Sequence, residues 1–360
     1  MKNVLIICTN RMDRNGMATV IMNYYWYMNR KNLKFDFIVN EYIDPAFKKS
    51  ILDNGDNIFV IKSRKKALLP YIWRVRQIVS SKKYDVVHIH GNSSTVCVEL
   101  FAVKHVKGKI IVHAHGVQTN HPIVHRLFHN YLIKHCDIAL AASEQAGLFL
   151  FGRDKDFTVI INGIDFVKYR FDSEKRKIFR NEYNVADETR LILNIGAFTK
   201  EKNQAFLIRV FRSICNQNSN YKLVLVGDGP LLKENKKLTT DLGLTDSIIF
   251  TGEQVNVSKI YSAADVFTLP SLYESFGIVG LEAQANGLPC ILAERIPKSV
   301  DVSGSSKFLP VDDYNVERWS SEIMNAQRTS ENGNKYKEWE DNGYSIKTIA
   351  EEVRNIYEED

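Results

Sequence analysis

Short β-branched apolar runs alternate with stretches of helical periodicity along almost the whole chain, and this alternation restricts the fold more than any other feature. In the first half, Val4–Cys8, Phe35–Val39, Ile58–Ile61, Val86–Ile89, Ile110–His113, Ile138–Ala141 and Thr158–Ile161 read as strands. Stretches such as Ala18–Asn29, Tyr71–Ser80 and Val124–His135 are long enough for helices between them. The second half repeats the scheme. Strands are expected at Leu191–Ile195, Lys222–Val226, Ile248–Thr251, Val266–Leu269 and Pro289–Leu292, with crossover helices at Phe206–Cys215, Leu231–Asp241, Val257–Ala263 and Ile278–Asn286. Strand and helix in alternation imply a mostly parallel, doubly wound sheet, because a parallel partner is reached only through a crossover. Two such halves predict two α/β domains.

The 360 residues suffice for two cores. The predicted division is 1–170 and 171–343, with a linker near 165–190 where charge is dense and no strand pattern appears. Charge divides with the halves: residues 1–170 hold 25 Lys+Arg against 13 Asp+Glu, and the remainder holds 23 against 29. No apolar run approaches the roughly 18 residues that span a bilayer. The opening MKNVLIICTN turns polar too soon for a signal peptide and reads as a buried first strand. Five scattered cysteines without a C-x-x-C pair argue against a disulfide framework or zinc site and for a reducing, cytoplasmic setting.

In open α/β sheets ligands bind beyond the carboxyl ends of the strands, so the chemistry is sought in strand-to-helix loops. The segment from Leu269 to Cys290 is the most informative of these. A strand ends at Leu269, a loop carries Glu274, Ser275, Phe276 and Gly277, and a helix begins at Ile278. The first turn of a helix has unpaired N–H groups and partial positive charge, which suits a diphosphate. Gly277 admits an anion close to the backbone. Glu282, about one turn into the helix, is placed to accept from two vicinal ribose hydroxyls, and Glu274 from sugar hydroxyls. A single such glutamate is ordinarily a solvated charge; the pair, eight residues apart around Ser-Phe-Gly, is not.

Glu274-x7-Glu282 with Phe276-Gly277 resembles the signature of retaining glycosyltransferase family 4, whose GT-B fold sets two Rossmann-like domains face to face across a cleft. Asn194–Asn203, Leu225–Pro230, Tyr261–Ser271 and Asn162–Asp165 resemble further family segments in order and spacing. The likeness is greatest to the capsule and exopolysaccharide branches. It implies an N-terminal acceptor-side domain, a C-terminal nucleotide-sugar domain, and a last helix, about 344–360, that returns to the first domain. It implies catalytic roles for Glu274, His115 and Lys202, with Lys202 neutralising phosphate charge and His115 facing the donor sugar. Gly16, Gly196, Ser275, Phe276, Gly277, Ile278 and Glu282 complete the implied donor site. No metal or other cofactor is implied. The partners implied are a nucleotide-sugar donor, UDP- or GDP-linked, and a saccharide or lipid-linked acceptor. Two departures stand out: Ala197 occupies a position where the family often has arginine, and Asn15-Gly16 stands where two glycines are common.

Other motifs carry less. All nine histidines fall between His88 and His135. His121, His125 and His129 share helical spacing, yet no carboxylate or cysteine completes a metal set. Asp154-Lys155-Asp156 matches the D-x-D of metal-dependent transferases of another fold but sits in a charged turn. Gly227-Asp228-Gly229 lacks the third glycine of a dinucleotide fingerprint. Residues 62–83 mix basic, apolar and aromatic side chains with no nucleic-acid motif, so peripheral docking on an anionic membrane is the expected use. No carboxylate stands out as a covalent nucleophile, which favours front-face substitution. The rival readings are a GT-B nucleotide-sugar epimerase and an inactive GT-B subunit of a polysaccharide assembly complex.

Overall fold

The computed structural model describes residues 1–13, 15–254, 256–328 and 335–359. The chain divides into two compact units, Met1–Gly163 with Ile346–Asp360, and Ile164–Ser345.

The first unit runs β1 (Lys2–Cys8), α1 (Gly16–Tyr27), β2 (Leu33–Asn40), α2 (Pro45–Asp53), β3 (Asn57–Ile61), α3 (Leu68–Ser81), β4 (Val86–Gly91), α4 (Cys97–Val103), β5 (Lys109–Ala114), α5 (Pro122–His135), β6 (Ile138–Ala141), α6 (Glu144–Phe151) and β7 (Thr158–Val159). All seven strands pair in parallel, in the order β3-β2-β1-β4-β5-β6-β7. One face of the sheet packs on Tyr71, Val75, Leu100, Leu132 and Leu150 of α3 to α6. The other packs on α1 and α2. Local chemistry sets the helix starts: the Asn15 side chain accepts from the Ala18 N–H at 3.0 Å, and Asp44 caps α2 ahead of Pro45.

The second unit contains α7 (Phe166–Tyr169), α8 (Ser173–Glu182), β8 (Arg190–Ile195), α9 (Gln204–Gln217), β9 (Tyr221–Val226), α10 (Leu232–Asp241), β10 (Ile248–Gly252), α11 (Ser258–Ala263), β11 (Val266–Leu269), α12 (Ile278–Ala285), β12 (Cys290–Ala293), β13 (Lys307–Leu309), α13 (Val316–Asn325) and α14 (Lys335–Asp341). Its six strands are again all parallel, ordered β10-β9-β8-β11-β12-β13. The last helix, α15 (Ile346–Glu358), belongs to the first unit. Ile346, Ile349, Val353 and Tyr357 of α15 share a core with Ile21 and Tyr24 of α1. The Tyr357 hydroxyl lies 2.6 Å from His88 Nδ1.

Two sequence expectations need correction. The division between units falls at 163/164 rather than near 170. Residues 165–190 are not a linker: they form α7 and α8 and belong to the second unit. The charge density there is structural. Arg176 and Arg180 on α8 donate to opposite oxygens of Asp265 at 2.9 and 2.8 Å, and the Leu191 N–H at the start of β8 donates to Asp265 at 2.8 Å. Arg176 also donates to the Ala263 carbonyl at 2.7 Å. A run of charge that looks solvated in sequence therefore fastens α8 to the central strands. The sequence also missed β13, a three-residue strand at the sheet edge, and α13, whose buried Trp319 donates to the Pro310 carbonyl at 2.8 Å.

Arg180 is almost fully buried, so removing its counter-charge leaves an unpaired cation inside the unit. Asp265→Ala is expected to destabilise the second unit by about 3 kcal/mol. Urea unfolding checks this; Asp265→Asn should recover part of the loss by keeping one acceptor.

Candidate functional site

The second sheet reverses its strand order between β8 and β11, so the loops that leave these neighbouring strands depart to opposite sides and open a crevice at the carboxyl edge. The loop after β8 spans 196–203 and the loop after β11 spans 270–277. They are bound to one another: the Leu272 N–H donates to the Glu201 carbonyl at 2.7 Å, and Asn203 Nδ2 donates to the Pro270 carbonyl at 3.4 Å. Across this junction Lys202 Nζ donates to Glu274 Oε1 at 2.6 Å. Ser271 Oγ donates to the same oxygen at 2.8 Å. Residues 72 apart in sequence thus form one charged pair at the sheet's switch point.

Backbone geometry shapes the rest. Gly277 is the N-cap of α12 with φ +91°, a conformation in which a side chain is strained. Phe276 is buried in the core among residues such as Leu269 and Leu281, so its side chain anchors the loop. That leaves backbone as the only part of Phe276 open to a ligand. Ser275 and Ile278 are half-buried beside it. The N–H groups that open α12 have no acceptor within the helix. On the other wall, the Gly196 N–H donates to Val226 and the Phe198 N–H to Asp228, both at 2.9 Å. Gly227 and Gly229 have φ of +135° and +156°, and a Cβ on either would collide with the backbone of Gly196 or Phe198. Those two glycines let two loops touch; they do not form a dinucleotide fingerprint. Ala197 and Lys200 are exposed on this wall.

Glu282 faces inward from α12 and is 7% exposed. Tyr261 donates its hydroxyl to Glu282 Oε2 at 2.7 Å. Burial raises the Glu282 pKa above the usual carboxylate range, while hydrogen bonds from Tyr169 and Tyr261 and the charge of Lys168 pull it back. Sequence reading missed Ser271 and both tyrosines. Ser271 stands three residues before Glu274, a local signal that was available; Tyr261 and Ser271 delimit one of the family-like segments but drew no role, and Tyr169 comes from another helix and left no signal.

The remaining predicted residues lie in the first unit. Gly16 is the first residue of α1, and a Cβ there would meet nothing within 4 Å. The fold itself does not require glycine at this position. His115 follows β5; its backbone N–H donates to the Gly91 carbonyl at 3.1 Å, and its Nε2 lies 2.8 Å from His90 Nδ1. It is one member of a stack with His88, His90 and His113, whose rings lie 4.0–5.4 Å apart. Burial pushes the His115 pKa down to about 3, so it is a neutral imidazole at pH 7. Among the described residues, ring nitrogens of His88, His90 and His113 come within 4.8 Å of one another. His121, His125 and His129 do not converge: His125 Nδ1 accepts from the Ser94 N–H at 3.1 Å, and His129 faces Asp154 at 3.5 Å. Asp154, of the D-x-D turn, is largely exposed.

Comparison with known proteins decides the family. Residues 14–168 match the model of Glycosyltransferase Family 4, and residues 175–346 match that of Glycosyl transferases group 1. The chain belongs to glycosyltransferase family 4. It is a glycosyltransferase with the two-domain GT-B fold. It is 28% identical to the putative glycosyltransferase EpsF of Bacillus subtilis (strain 168), over 83% of this chain and 81% of that one. It is 27% identical, over 71% of this chain and 68% of the relative, to the Escherichia coli UDP-Gal:alpha-D-GlcNAc-diphosphoundecaprenol alpha-1,3-galactosyltransferase. Among solved structures, Anabaena Alr3699/HepE in complex with UDP and glucose superposes with a TM-score of 0.78 over 99% of both chains at 19% identity, a likeness of fold. Glu274 and Glu282, which resemble the two glutamates of the family signature, are held on one loop and helix of the second unit.

Two outcomes follow from this geometry. Glu282 ionises less readily in the folded state, so stability falls as pH rises from 4.5, the value in the unfolded chain, toward the raised folded value. Glu282→Gln removes that cost. Its melting temperature should exceed that of the parent at pH 7 and converge with it near pH 4, while stabilisation by added nucleotide weakens. Gly277→Ala should lose about 1–2 kcal/mol in urea unfolding, because alanine resists positive φ.

Proposed function

We propose that the protein is a retaining hexosyltransferase that moves a sugar from a UDP- or GDP-sugar to a saccharide or lipid-linked acceptor, in the synthesis of exopolysaccharide, capsule or another cell-surface glycan. The Lys202–Glu274 pair beside the first turn of α12 is the observation that carries this reading. A diphosphate at the helix start would meet unpaired N–H groups, the positive end of the helix dipole and the Lys202 ammonium. Glu274, released from Lys202 by the phosphate, would then accept from hydroxyls of the transferred sugar. Glu282 would exchange a tyrosine hydroxyl for the ribose hydroxyls.

As the bond to the leaving diphosphate breaks, negative charge grows on the phosphate oxygens, and Lys202 stabilises it without a proton transfer. A phosphate oxygen would accept the proton of the attacking hydroxyl on the same face, giving retention with no covalent sugar–enzyme intermediate. Neutral His115 would offer a hydrogen bond to the sugar. The charge that compensates the diphosphate comes from Lys202 and the helix, so the reading asks for no divalent ion. Exposed Lys200 stands near enough in sequence to Ala197 to supply the cation missing there. The acceptor falls to the first unit, and its basic segment 62–83 fits an enzyme working at an anionic membrane. The E. coli relative's lipid-diphosphate acceptor and the UDP held by Anabaena HepE support the class of substrates proposed.

A panel of UDP- and GDP-sugars, first as stabilisers in thermal shift and then as donors with undecaprenyl-diphosphate sugars, tests the reading. Transfer should persist in EDTA. Lys202→Met and Glu274→Gln should each lower kcat by about 100-fold to 1,000-fold with the fold intact. Variants that keep the parental rate would remove the proposed site; release of a free epimer from donor alone would replace transfer by epimerisation.

A further inference from the structure

The outer surface of the first unit carries apolar side chains that its own core leaves uncovered. In α5, Leu132 is buried, but Ile123 and Leu127, one turn apart, are 75% and 72% exposed, and Val124 and Phe128 beside them are also exposed. An amphipathic helix packed on a sheet turns its apolar stripe inward; the first two turns of α5 turn theirs to solvent. Helix α3 repeats the pattern. Tyr71, Val75 and Ile78 enter the core, while Leu69 and Trp73 are 76% and 61% exposed. Both helices flank α4 on one face of the sheet, and both follow strands of a parallel sheet. Their first turns therefore lie at the carboxyl edge, the edge on which Gly16 and His115 stand.

Charge identifies the occupant. Neither 62–83 nor 115–135 contains an Asp or Glu. Lys62, Lys65, Arg74 and Arg126 are exposed around the apolar side chains. Several other basic groups are engaged: Arg64 pairs with buried Glu99, Lys66 with Glu41, Lys82 with Asp36, and Arg76 lies over the Phe101 ring. A second copy of the chain would set this acid-free face against itself in a two-fold dimer, like charge on like charge. An anionic bilayer offers the complement to both features, with negative headgroups for the cations and an acyl boundary for the apolar side chains.

We propose that the first turns of α3 and α5 form one membrane-docking surface, in which Leu69, Trp73, Ile123 and Leu127 enter the interface of an anionic bilayer and Lys62, Lys65, Arg74 and Arg126 contact its headgroups. It deepens, and rests on, the reading of a lipid-linked acceptor: docking by this edge brings the acceptor-side residues to the membrane. Among the described residues no helix is long and apolar enough to cross a membrane, so attachment here is to the surface.

The experiment is flotation of the full chain with vesicles of phosphatidylcholine alone or mixed with phosphatidylglycerol, alongside UDP thermal shift and light-scattering mass. The parent should float with the anionic vesicles and stay behind with neutral ones. Ile123→Glu/Leu127→Glu and, separately, Lys62→Glu/Lys65→Glu should each weaken partitioning by about tenfold or more, with UDP stabilisation unchanged. The inference is overturned by a parent that ignores anionic vesicles or binds neutral ones equally, or by variants that float like the parent. It is equally overturned by a parental dimer that Ile123→Glu/Leu127→Glu converts to monomer. UDP stabilisation without flotation ends this inference and leaves the donor site standing; flotation without UDP stabilisation does the reverse.

Discussion

The pairing of β8 with β11 is the constraint on which the candidate site depends. Ile192 lies opposite Val266 and Leu193 opposite Phe267. Side chains reinforce the seam: Asn194 Nδ2 donates to the Thr268 carbonyl at 2.9 Å, and Thr268 Oγ1 donates to the Leu193 carbonyl at 3.1 Å. Asp265, at the entry to β11, accepts from the β8 backbone and from both α8 arginines. With the two strands fixed at both ends, the loops that leave them are fixed too. Lys202 reaches Glu274 because its loop and that of Glu274 depart from adjacent strands.

Polar groups in the two units face different costs of burial. Asp265 and the α8 arginines compensate one another, and almost every donor in that cluster has an acceptor. The histidine stack of the first unit is different. It holds four imidazoles in a sheet layer, lowered in pKa by burial, with both ring nitrogens of His113 unpartnered among the described residues. Neutral rings are the form that such a layer tolerates, since among the described residues no carboxylate pairs with these four rings. The Tyr357 hydroxyl on His88 ties α15 to the strand that ends at His90 and Gly91.

Much of the architecture was legible because it rests on local periodicity. Strand after strand in both halves lies where β-branched runs stand between helical stretches, and the parallel order follows from the crossovers. Reading was poorest where charge misled. Residues 165–190 look like a solvated linker, yet Arg180 is buried and α8 is part of the second unit's frame. In the site, Glu274, Glu282, Lys202 and Gly277 stood out by spacing and residue type. Phe276 was grouped with them, and its ring turned out to serve the core. The apolar turns of α3 and α5 could not be distinguished from core stripes by pattern, since periodicity shows that a helix has an apolar face but not whether anything covers it.

The sequence alone determined that the chain would form two parallel α/β units and that its chemistry would lie on loops after strands, because hydrophobic period and turn residues act within a few positions of one another. Only the tertiary structure decided which distant residues meet. The 2.6 Å contact between Lys202 and Glu274, the tyrosine that holds Glu282, and the four stacked histidines arise from strand order and helix packing. Such contacts are long-range, and no local pattern encodes the neighbour that a fold brings alongside.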